Sequence, residues 1–146
     1  MINKVLVEQR LALISGFLAR LRELGAMPQS DFLGDPLKVA ATESYLRRTL
    51  EAVFDVGRHL LAKSGYLQLA GEYKSIARGL SDRGFIDGRL GSVLVKMAGY
   101  RNRMVHMYYD VTPEEMYAIV SDHLEDIAEF VRQVRAYVEA TSPQQR

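Results

Sequence analysis

Residues 99–110, GYRNRMVHMYYD, put a guanidinium (Arg101), a side-chain amide (Asn102), an imidazole (His106) and two phenols (Tyr108, Tyr109) within a few positions of one another. Imidazole titrates near neutrality and can move a proton, while a guanidinium matches the charge that builds on a phosphorane. A pair of this kind suits phosphodiester chemistry. The other two histidines carry less. His59 follows Arg58 near a helix end, where a cation would favour the macrodipole, and His123 lies on a helix flank with the pattern of a surface residue. Arg47 and Arg48 read as a solvated pair. The glycines have neither P-loop nor dinucleotide spacing, and no carboxylate cluster resembles a two-metal site. With no cysteine and three scattered histidines, zinc is poorly served. No metal and no cofactor is expected.

The elements that must position these groups are helices. Apolar residues at Val7, Leu11, Ile14, Leu18 and Leu21 recur every three or four positions and predict a first helix over 3–24, stopped by Gly25. Residues 25–35 have turn composition and form the longest expected connection. Asp35 before Pro36 predicts an N-cap and a long second helix to about Lys63, with Leu46, Leu50, Val53, Phe54, Gly57, Leu60 and Leu61 on its buried face. Gly57 inside that stripe implies the close approach of another helix. A third helix is expected over 71–83, around Tyr73, Ile76, Ala77 and Leu80, and a fourth after Asp87, with Leu90, Val93, Leu94, Met97, Met104 and Val105 inward and fraying at 107–110. Thr112-Pro113-Glu114-Glu115 combines proline at the first helical position with capping-box spacing. It predicts a fifth helix whose face, Met116 to Val138, is regular for more than six turns.

This makes an all-α, up-and-down bundle of four to five helices, one domain over 1–146 with its core in 3–140 and a polar tail at 141–146. Length, 48% apolar and 25% charged residues are those of an ordinary globular domain. Charges interrupt the N-terminal apolar run, so neither a signal peptide nor a membrane span is expected, and a cysteine-free chain fits a reducing cytoplasm.

On a helical wheel at 100° per residue with Met97 at zero, Leu90 falls at about 20°, Leu94 at about 60°, Arg101 at about 40°, Met104 at about −20° and Tyr108 at about 20°. Arg101 therefore sits in the apolar stripe and needs a carboxylate, a wet crevice or an interface. Glu43, on the stripe of the second helix, is the candidate partner. His106 falls at about 180°. One unbroken helix in one subunit would not aim Arg101 and His106 at a common substrate: either the helix end unwinds, or two copies meet across a twofold axis.

Net charge is only +1, too little for a general polyphosphate trap, but it is unevenly spread. Residues 74–103 hold seven basic side chains against two acidic ones, and residues 110–129 hold seven acidic and no Lys or Arg. Either this suits successive helix dipoles, or it marks a basic strip that meets phosphate.

The run Arg101-Asn102-Arg103-Met104-Val105-His106-Met107-Tyr108 resembles the R-x4-H-x-Y signature, in its R-N-x-x-V-H-x-Y form, of HepT-like toxins in the HEPN superfamily. The segment around Val53-Phe54-Asp55-Val56-Gly57 and the lead-in Leu94-Val95-Lys96-Met97-Ala98-Gly99-Tyr100 also fit, so the similarity spans roughly 37–138. The resemblance implies a homodimeric all-helical protein, the toxin of a type VII-like toxin–antitoxin pair, acting as a metal-independent endoribonuclease. It implies Arg101 and His106 as the catalytic pair in a site built from both subunits, with Asn102 in support. The substrate would be RNA, tRNA or mRNA, and not DNA, because the 2′-OH is the attacking group. The implied partner is an MntA-type minimal nucleotidyltransferase antitoxin that silences the toxin by attaching AMP to the motif tyrosine, Tyr108, with Tyr109 adjoining it. An alternative reading is a non-catalytic helical partner of such a nucleotidyltransferase, in which Arg101 is structural.

Overall fold

In a computed structural model, the described residues are 1–106 and 111–141; residues 107–110 and 142–146, together with the side chain of His106, lie outside them. They form α1 (Lys4–Ala26), α2 (Gln29–Leu33), α3 (Pro36–Lys63), a single 3-10 turn (Leu67–Leu69), α4 (Tyr73–Asp82), α5 (Gly88–His106), α6 (Pro113–Asp122) and α7 (Leu124–Ala140). No strand occurs among the described residues, and none of their helices is long and apolar enough to cross a membrane. α1 packs along α3 and against α6 and α7, while α4 packs on α5 and α3. The expected all-α bundle is the observed one.

Local chemistry sets the helix starts. The Asp35 carboxylate accepts from the N–H groups of Leu37 and Lys38, with Pro36 at the first position of α3. Asp87 Oδ1 accepts from Leu90 N–H at 2.8 Å at the start of α5, as expected. At α6 the Thr112–Glu115 capping box is complete in both directions, which satisfies two otherwise orphaned donors.

Three boundaries differ from the sequence expectation. α1 does not stop at Gly25 but runs to Ala26, because Gly25 is a packing residue: a Cβ there would collide with the Val120 carbonyl of α6. The 25–35 connection contains α2, anchored by the buried Phe32, whose ring meets Tyr117 at 5.1 Å. The long fifth helix is two helices, broken at His123, whose φ −123° and ψ 6° are neither helical nor extended. Backbone bonds from His123 N–H to Ile119 O and from Asp126 N–H to His123 O span the break, so the chain is kinked and not looped.

The core joins Ile14, Leu18 and Leu21 of α1, Leu46, Leu50, Phe54 and Leu61 of α3, Leu80 of α4, Leu90, Leu94, Met97 and Met104 of α5 and Phe130 and Val134 of α7. Val93 and Val105, expected inward, are only half-buried, and Ala98 is fully buried. Gly57 does admit a neighbour: a Cβ would lie 2.7 Å from Ile76 Cγ2 and 2.9 Å from Leu80 Cδ1 of α4.

Candidate active site

α5 delivers Arg101 to the seam between α3 and α4. Its register follows from the apolar stripe Leu90, Leu94, Met97 and Met104, each no more than 5% exposed. Being on that stripe, the Arg101 side chain is 13% exposed. Its guanidinium carbon stands 4.0 Å from the centre of the Tyr73 ring, a contact worth about 0.5–2 kcal/mol depending on how dry it is. Tyr73 opens α4, and Phe54 of α3 holds its ring edge-on at 5.1 Å. Arg58 approaches the same ring at 5.5 Å.

The carboxylate partner of Arg101 is Glu51, not Glu43. Arg101 Nη2 lies 3.6 Å from Glu51 Oε2, whereas Glu43 bonds Arg47 Nε at 3.2 Å within α3. Arg47 also lies 3.8 Å from Glu51. Arg47 is thus the middle of a Glu43–Arg47–Glu51 ladder with spacing i, i+4 and is not simply solvated, while Arg48 is exposed. Two helical turns separate Glu43 from Glu51, and the crossing point of α3 and α5 selects the second. The 3.6 Å separation is an ion pair longer than a hydrogen bond. Among the described residues the buried Nε of Arg101 meets no acceptor. Among these residues the guanidinium is therefore held by a ring and a charge, and neither contact is a hydrogen bond.

Arg103, two residues on, serves the fold: its Nη1 and Nη2 donate to Glu115 at 3.1 and 2.9 Å. That fork and the Thr112 N–H hold the Glu115 carboxyl below its ordinary range. Asn102 is half-buried between the two arginines. α5 continues as helix through His106, so the backbone turns about 140° from position 101 to position 106. Tyr108 and Tyr109, and the expected fraying at 107–110, lie outside the described residues. Among the described residues no three His, Asp or Glu side chains gather as a metal would require.

The sequence profile of the family described as "Ribonuclease HepT-like" matches residues 14–134. The chain belongs to the HepT-like ribonuclease family. The match begins within α1, further upstream than the motif-bearing segments from 37 onward. The chain is similar to the tRNA nuclease HepT of Aphanizomenon flos-aquae, with 26% identity over 137 residues, covering 94% of this chain and 92% of the relative. A solved structure of a tri-AMPylated HEPN toxin of Shewanella oneidensis in complex with an MNT antitoxin matches with a TM-score of 0.78 and 25% identity, over 90% of this chain and 97% of that one. The cytosolic protein YutE of Bacillus subtilis shares the fold, with a TM-score of 0.81 at 20% identity over 95% of this chain and 92% of its own.

Within this HepT-like chain, Glu51 and Tyr73 are the neighbours of Arg101 that sequence reasoning missed. Tyr73 stood among the apolar-face residues expected for α4, whereas Glu51, four residues after Arg47, was not singled out. Nothing in helical period tells which rung meets α5, since that is fixed by how two helices cross.

Proposed function

We propose that this protein is the toxin of a toxin–antitoxin pair and a metal-independent endoribonuclease that uses Arg101 and His106 as its catalytic pair. The observation that carries this reading is Arg101, sunk in the apolar stripe of α5 yet with no acceptor for its Nε–H among the described residues, in a chain of the HepT-like ribonuclease family. A guanidinium that only tied helices together would be expected to spend its donors on protein acceptors.

His106 takes the proton from the RNA 2′-OH, whose oxygen attacks the adjacent phosphorus. The P–O5′ bond breaks, the departing 5′ oxygen receives the proton that His106 took, and a 2′,3′-cyclic phosphate remains. Arg101 donates to the non-bridging oxygens as charge builds on them, and Asn102 supports the pair. Positions 101 and 106 lie on different sides of one helix, which favours a homodimer whose site takes Arg101 from one protomer and His106 from its partner. A nucleotidyltransferase antitoxin of the MntA type is the proposed partner, as the antitoxin complex of the Shewanella relative suggests. It would silence the toxin by forming a phosphodiester between AMP and the Tyr108 hydroxyl, with pyrophosphate leaving from ATP.

The test is cleavage of total tRNA and a defined mRNA by the purified protein. Arg101→Ala and His106→Ala are each expected to cut turnover by about 10²- to 10⁴-fold, with cyclic phosphate ends on the wild-type products. Folded wild-type protein that leaves both RNAs intact would defeat the enzyme reading. Intact mass after incubation with the nucleotidyltransferase and ATP should rise by AMP increments, lost in Tyr108→Phe; such increments on a protein without nuclease activity would favour the non-catalytic partner instead.

A further inference from the structure

We infer that Glu51 and Tyr73 are positioning residues that fix the pose in which Arg101 meets a phosphate, an inference that rests on the nuclease reading of the same site. The two contacts divide the work. The Tyr73 ring, 4.0 Å below the guanidinium carbon, sets the plane of the group, since a cation seeks the face of an aromatic ring. Glu51, at 3.6 Å from Nη2, pulls one end of that plane toward α3 and sets its rotation. Neither contact is a hydrogen bond, so neither consumes an N–H that a phosphate would need.

The supports are themselves held. Phe54, fully buried in α3, braces the Tyr73 ring edge-on, and the Glu72 carboxylate caps α4 by accepting from Ser75 N–H at 2.9 Å, which locks the first turn on which Tyr73 stands. Glu51 is shared with Arg47, itself bonded to Glu43, so its carboxylate is drawn from two sides. An arginine has enough rotamer freedom that, without such supports, it would visit many poses, and a displacement of about 1 Å in a reacting group can cost on the order of 100-fold in rate. Glu51 also sets an opposing charge near the incoming phosphate, which weakens ground-state binding. The arrangement therefore favours orientation over affinity.

The experiment pairs turnover with a direct view of the guanidinium. In proton–nitrogen correlation spectra of the full-length protein, the Arg101 Nε–H is assigned as the signal lost in Arg101→Lys. It should be shifted by the Tyr73 ring current and exchange slowly with water. Glu51→Gln and Tyr73→Leu should each return it toward the exposed-arginine range and lower kcat on RNA by about 10- to 100-fold, with KM unchanged or lower. Tyr73→Phe, which keeps the ring, should recover most of both readouts. An Nε–H that already exchanges like exposed arginines in the wild type overturns the inference, and so does a signal displaced in Glu51→Gln or Tyr73→Leu without loss of kcat. A lost kcat with an unmoved signal overturns it as well, since the residue would then act through general stability. Wild-type protein that holds the Nε–H as expected yet leaves RNA intact instead defeats the nuclease reading, and this one with it.

Discussion

His59 Nε2 accepts the backbone N–H of Asn3 at 2.9 Å, which only an unprotonated ring nitrogen can do. Burial pushes the His59 pKa down, and Lys63 and the N-terminal ammonium push it further the same way. Its sequence position, near the C-terminus of α3, suggested a cation suited to the helix dipole; the structure makes it a neutral acceptor, because a donor 56 residues away reaches it. Asn3 in turn caps α1 through Leu6 N–H at 3.0 Å, so protonating His59 would loosen the start of the first helix. Because the folded pKa lies below the unfolded one, the unfolded chain binds more protons as pH falls. The stability from this contact is therefore complete above about pH 6.5 and lost progressively below it. Urea midpoints should decline from about pH 7 to 5.5 in the wild type, and His59→Gln, which can still accept from Asn3, should flatten that decline. An equal slope in both proteins would remove His59 from the account. Arg101 shows the same division between what local pattern reveals and what tertiary packing decides. Its place in the apolar stripe was legible from spacing alone, while the identity of its carboxylate, Glu51 in place of Glu43, was not.

Two glycines show the difference between conformational and packing roles at the level of whole helices. Gly57 of α3 faces the side-chain methyls of Ile76 and Leu80, which can shift by small rotations. Gly25 of α1 faces the Val120 carbonyl of α6, which is backbone and cannot yield without moving a helix. Alanine at either site gains roughly 1 kcal/mol of helix propensity and meets an overpacking cost of about 1–3 kcal/mol or more. Gly57→Ala should therefore be near neutral to mildly destabilising, and Gly25→Ala should lose about 2 kcal/mol or more, read from denaturant midpoints at constant slope. If Gly25→Ala proved the more stable of the two, α1 and α6 would not pack as described. The helices with strong apolar periodicity and a capping signal, α3, α5 and the start of α6, were legible from sequence. α2 was hidden because five residues, Gln29–Leu33, are too few to display a period. The break at His123 was hidden because the apolar positions of α6 and α7 stay in phase across a kink that keeps its backbone bonds.

For the molecule as a whole, the reversal of charge along the sequence is partly internal. Arg89 of α5 pairs with Asp126 of α7 at 3.2 Å and Arg103 with Glu115 of α6 at 2.9 Å, while acidic residues occupy the first turns of α6 and α7 as helix dipoles favour. Two of the seven basic residues of the strip are thereby committed to the fold, and of the remaining five Arg101 is the one sunk in the apolar stripe of α5, whereas Lys74, Arg78, Arg83 and Lys96 are exposed. In the proposed mechanism Arg101 acts together with His106. With α5 helical through His106, positions 101 and 106 diverge by about 140°, and the proposal therefore draws the two from twofold-related copies. This gives a sharp expectation. Arg101→Ala and His106→Ala homodimers should each be inactive, but in a heterodimer of the two, one of the two sites has an intact arginine from one protomer and an intact histidine from its partner. Co-refolding equal amounts should place half the chains in heterodimers at random and restore about a quarter of wild-type turnover. Separately folded proteins mixed without exchange should restore none. If co-refolding also restores none while size-exclusion confirms mixed dimers, each site draws Arg101 and His106 from a single protomer, and the end of α5 must then turn within one subunit to bring them together.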